Sequence, residues 1–157
     1  IDFISNLNLD YIFDTHFPRI EIYSIASKLI FKNPILGWGS STFPQIYKLN
    51  GGIWNAQHTH SMPLEIAYNF GIPFTFLMIG FIGYICFKSY KKIYSISLYK
   101  NFDINKCWLI SFVVILFSHI SDITYYDGKI SILIWILIAG LKCIIDDKNM
   151  KRNKLTY

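Results

Sequence analysis

Apolar residues gather into three long, charge-poor blocks in the second half of the chain. Gly71 to Phe87 contains no charged residue, and the apolar pattern leading into it begins near Met62. Cys107 to Ser121 is uncharged when His119 is neutral. Ile130 to Leu141 extends to Ile145 once the Lys142 ammonium snorkels toward the headgroups. Each block approaches the roughly 17 to 20 residues that cross a hydrocarbon core. As buried helices of a soluble protein, all three would have to be apolar on every face. The pattern therefore predicts membrane helices over about 62–88, 106–124 and 129–145.

The pattern changes upstream. Pro18 suits a first helical turn and Asn33-Pro34 suits a helix end. Between them Ile22, Ile25, Ala26, Leu29 and Ile30 recur at helical spacing, with Glu21, Ser24, Lys28 and Lys32 mainly on the other side. This predicts an amphipathic helix over about 19–33, lying on the membrane or against the bundle. Ile35 to Trp54, with Gly37, Gly39, Gly51 and Gly52, reads as turns and loop. Asn6 to His16 is too short and mixed to assign.

Charge supplies the orientation. Lys88, Lys91, Lys92, Lys100 and Lys106 lie between the first two blocks, against the acid Asp103. Lys148, Lys151, Arg152 and Lys154 follow the third, against Asp146 and Asp147. By the positive-inside rule these two regions are cytoplasmic, so residues 1–61 and the Asp122–Lys129 link share the outer, periplasmic face. The expected fold is an all-α integral membrane protein. It comprises the C-terminal three transmembrane helices (62–145) of a larger multi-pass bundle, an outer-face loop region before them (1–61) and a basic cytoplasmic tail (146–157). The chain opens on Ile1, so further segments are expected ahead of it.

Composition agrees with this. The chain is 53% hydrophobic and 16% charged, where soluble domains average about 25% charged, and its mean hydropathy is +0.35. A net charge of +5 does not suggest nucleic acid, because the basic residues flank apolar blocks and form no solvated stripe. Cys86, Cys107 and Cys143 lie in or beside those blocks without a CxxC pair, so neither disulfides nor a zinc site is expected.

Few side chains are suited to chemistry. His58 and His60 sit just before the first block, with Glu65 about a turn and a half beyond His60. Imidazole titrates near neutrality and can act as a general base. Two alternate histidines also resemble a partial metal site without a third ligand, or polar residues beside Trp54 in an aromatic belt. Arg19, one of two arginines, offers a fork for phosphate or carboxylate. Gly37-Trp38-Gly39-Ser40 lacks the Lys-Ser/Thr ending of a phosphate loop, and Trp38 suits a sugar face or an interfacial anchor. His119 and Asp122, one turn apart near the outer end of the second block, fit a bundle-stabilising pair or a polar path equally well.

Taken together, these residues resemble the C-terminal half of the O-antigen ligase family of membrane proteins. An arginine leads a helix, Asn33-Pro34-Ile35-Leu36-Gly37-Trp38-Gly39 follows, and His60-Ser61 precedes Gly71 by the family's nine-residue spacing, Met62 to Phe70. The tail from His119-x-x-Asp122 through Gly128-Lys129, then Trp135 and Gly140, looks like the ending of bacterial members. The resemblance covers about residues 19–145. The chain departs from the family at Phe74, where Thr is frequent, and at Tyr23, where Trp is common.

The resemblance implies a glycosyltransferase of surface polysaccharide (lipopolysaccharide) biosynthesis in the bacterial cytoplasmic membrane. It would move a glycan from a polyprenyl-diphosphate-linked donor to a lipid or saccharide acceptor, without cofactor or metal. Arg19 would hold the diphosphate and His60 would take the acceptor's proton. His58, Glu65, Trp38 and Asp122 would support or line the substrate site. Two alternatives are a membrane transporter component, for inorganic carbon as an example, and a fragment inactive by itself.

Overall fold

The computed structural model describes residues 18–95 and 102–147, and all of its regular elements are helical. Lys100, Lys148, Lys151, Arg152 and Lys154, on which part of the orientation rests, lie outside the described residues, as does Asn6 to His16. The chain divides into two units, residues 1–75 and 76–157.

In the first unit, α1 (Pro18–Lys32) begins at the proline that sequence punctuation selects. Its apolar stripe is spent inside the protein. Ile22, Ala26, Leu29 and Ile30 are buried in one cluster with Phe43, Tyr47, Ala56, Ala67 and Tyr68. The helix is expected on the membrane or against the bundle, whereas its buried face packs on residues 43–68 of its own unit. Burying each large aliphatic side chain contributes about 1.5–3 kcal/mol.

Two expectations are corrected here. The stretch 35–54 is not wholly loop, because Phe43–Leu49 forms α2, started by Pro44 in its first turn. Its apolar residues at positions 43 and 47 are one turn apart and both buried, a signal masked by the surrounding glycines. The helix expected over 62–88 is two helices, α3 (Met62–Phe70) and α4 (Ile72–Tyr94), broken at Gly71. Pro73 causes the break, since its ring would collide with the carbonyl of residue 69 in a continuous helix. The carbonyls released at the end of α3 accept hydrogen bonds from the 34–39 loop: Trp38 N donates to Tyr68 O (2.7 Å) and Gly39 N to Asn69 O (3.1 Å). In return Ile72 N donates to Pro34 O at 2.7 Å. Gly71 has φ 86° and ψ 167°, a region essentially restricted to glycine.

Beyond this junction α4 has 23 residues, α5 (Phe102–Ser121) 20 and α6 (Gly128–Asp146) 19. At 1.5 Å per residue they measure about 28 to 35 Å, enough for a hydrocarbon core. All three are long and apolar enough to cross a membrane, with only 17%, 22% and 17% of their most apolar windows buried inside the protein. The chain is thus a membrane protein whose spans present most of their side chains outward. In the second unit Ile85 and Ile93 of α4, Leu109 and Phe112 of α5, and Leu137 and Leu141 of α6 share a core. Gly140 packs against the Trp108 ring, where a Cβ would come within 2.8 Å.

A 3₁₀ turn, Thr124–Tyr126, connects α5 to α6, and Asp127 caps α6 by accepting from Lys129 N at 2.8 Å. At the opposite end of this unit lysines meet aromatic faces, Lys88 over Tyr84, Lys91 over Phe87 and Lys106 over Tyr94. Lys92 Nζ donates to Asp147 O at 2.8 Å. Lys142 reaches toward the end of α6 and pairs with Asp146 at 2.6 Å.

Candidate functional site

The histidine loop is held at both of its ends. Upstream, Glu21 Oε1 accepts from Tyr47 Oη (2.8 Å) and Ile53 N (2.9 Å), tying α1 to α2 and to the loop that leads to Trp54. Burial, then the bond to Glu21, pushes the Tyr47 phenol up to about 12. A folded-state pKa above the unfolded value of about 10 stabilises the fold below pH 10, and that contribution is lost as pH rises toward 12. Alkaline melts should therefore lose less stability across this window in Tyr47→Phe than in wild type. Equal losses in both proteins would show that Tyr47 carries no such linkage.

Downstream, Glu65 does the holding. It is only 7% exposed, in the first turn of α3, where the helix dipole favours negative charge. Its Oε2 accepts from Thr59 N at 3.0 Å and its Oε1 from Asn69 Nδ2 at 3.2 Å. Thr59, fully buried, donates from Oγ1 to Ser61 O at 3.0 Å. The residue between His58 and His60 is thereby fixed by two hydrogen bonds.

His60 itself has φ 55°, a left-handed conformation rare for a residue with a Cβ. Its carbonyl accepts from Tyr23 Oη at 3.1 Å, a link from the middle of α1. The His58 and His60 rings meet edge to face with centroids 4.4 Å apart, and both side chains are half-buried. Arg19 is exposed in the first turn of α1, one turn before Tyr23 and on the same side of the helix. His58 and His60 are thus brought together on a loop that Glu65 holds through Thr59, and Arg19 lies one turn before Tyr23 on α1. No three His, Cys, Asp or Glu side chains gather into a metal-holding group among the described residues.

The remaining candidates sit elsewhere. Trp38 is built into the junction: its Nε1 donates to Leu29 O at 2.8 Å and its ring lies parallel to that of Tyr68. His119, in the second unit, is 3% exposed. Its Nδ1 lies 2.6 Å from Ile115 O, which can only accept, so that nitrogen carries the proton. Nε2 lies 3.3 Å from Thr124 Oγ1, and the ring clasps the end of α5 to the following turn. Asp122 lies just past α5, where its Oδ1 accepts from Ile123 N at 2.8 Å.

Tyr23, Glu21, Thr59 and Asn69 were not legible as site residues. Only Asn69 carried a signal, its i,i+4 spacing from Glu65. No family model, curated protein or solved structure matches this chain.

Proposed function

We propose that the chain is the C-terminal part of a membrane glycosyltransferase. It transfers a glycan from a polyprenyl-diphosphate carrier to a lipid or saccharide hydroxyl at the outer face of the bacterial cytoplasmic membrane. The observation that carries this reading is His60: a half-exposed imidazole on a left-handed backbone, held by Tyr23 and by the Glu65-anchored Thr59, shortly before a membrane helix. Strained backbone that surrounding bonds over-determine is characteristic of functional positions.

In the reaction the acceptor oxygen attacks the anomeric carbon, and the bond from that carbon to the diphosphate oxygen breaks. The acceptor proton passes to His60. The diphosphate departs with the electron pair, and Arg19 stabilises the charge it gains. The lysines that end α4 and begin α5 fit a cytoplasmic end for these helices and an outer position for His60. Transport along a path through His119 and Asp122 has less support, because both His119 ring nitrogens are occupied within its own helix and turn.

Donor binding separates the two proposed roles. In lipid nanodiscs, Arg19→Ala should weaken binding of a polyprenyl-diphosphate glycan about tenfold to a hundredfold, the weight of a charged hydrogen bond. His60→Ala should leave that affinity nearly unchanged. Undiminished binding by Arg19→Ala would remove Arg19 from the mechanism.

A further inference from the structure

Once α1 has buried its apolar stripe, the first unit still exposes large apolar side chains. Leu36 is 79% exposed, Phe31 76% and Ile35 69%. The backbone that carries Ile35 and Leu36 is fastened to the first residues of α4. Pro34 O accepts from Ile72 N, and the Ile35 carbonyl fills the space where Gly71 lacks a Cβ. Phe70 and Phe74, also exposed, bring their rings within 5.2 Å of each other on the same junction.

A helix that enters the hydrocarbon at Ile72 places whatever is bonded to Ile72 at the membrane boundary. Exposed Phe, Ile and Leu side chains at that depth meet acyl chains instead of water, and the adjacent exposed Lys28 and Lys32 suit the headgroup level above them. We infer that Ile35 and Leu36 form a wedge that inserts into the bilayer leaflet at the start of α4. The occupant of this apolar surface is lipid, because its backbone is bonded to Ile72, the first residue of a helix long and apolar enough to cross a membrane. The wedge holds the 34–39 loop at the membrane surface. It stands whether or not the chain transfers glycan.

Spin labels test it in the full chain reconstituted in phospholipid vesicles, with Cys86, Cys107 and Cys143 replaced by Ala. Labels at Leu36→Cys and, separately, Ile35→Cys should collide with oxygen severalfold more than with a water-soluble nickel chelate. A label at the exposed Ser40→Cys should show the reverse preference. Two results overturn the wedge. Labels at 35 and 36 as open to nickel as the label at 40 would place the loop in water. Labels shielded from both reagents would mean that protein covers the patch.

Discussion

Gly71→Ala should destabilise the first unit by at least about 3 kcal/mol, combining a disallowed backbone with a steric collision. The backbone at φ 86°, ψ 167° is strained for any residue with a side chain. An added Cβ would also strike the Ile35 carbonyl, which cannot retreat because Pro34 O and Trp38 N are bonded across the same junction. Relaxing the clash pulls the 34–39 loop away from α3 and leaves Tyr68 O and Asn69 O without their donors. In detergent melts the apparent Tm should fall by about 10 °C or more. Gly80→Ala is the matched control: it lies within α4 with open space at its Cβ position. That change should be neutral or slightly stabilising, as alanine is the better helix former. Equal melts for the two variants would mean that the junction does not hold the first unit together.

His60→Gly should separate stability from activity. Glycine adopts φ near 55° freely, so the substitution relieves about 1 kcal/mol of backbone strain, and the Tyr23 bond is kept because it goes to the backbone carbonyl. Melts should therefore match or exceed those of wild type. Transfer should nevertheless fall about a hundredfold to ten-thousandfold, the usual contribution of a positioned general base. A residue conserving only loop structure would show the opposite pattern, with activity following stability.

The parts of this fold that could be read from sequence were those set by local rules. Charge-free runs located the three spans, and α6 extends over Gly128–Asp146 against an expected 129–145 because Asp127 and Lys142 both belong to its ends. Pro18 and Asn33-Pro34 bounded α1 to within a residue. Hydrophobic periodicity could not reveal the break at Gly71, because apolar residues continue through it. The deciding forces there are the Pro73 ring and a loop from thirty residues upstream.

The candidate site was legible only in its histidines, Glu65 and Arg19. What holds them are bonds spanning long sequence distances. Tyr23 to His60 crosses 37 positions and Glu21 to Ile53 crosses 32. Tyr23 departs from the resembled family's common Trp, and it is the side chain that fastens the His60 backbone. Trp38 Nε1 and the His119 ring nitrogens each join one element to the next.

The most direct test of the central claim is glycan transfer to the cell surface in a strain lacking the native copy. It would be complemented with full-length wild type, His60→Gly or His119→Ala, each at matched membrane abundance. His60→Gly is expected to lose transfer and accumulate the lipid-linked glycan, while His119→Ala at equal abundance still transfers. Normal transfer by His60→Gly would contradict the proposed enzyme, and loss confined to His119→Ala would point to transport instead.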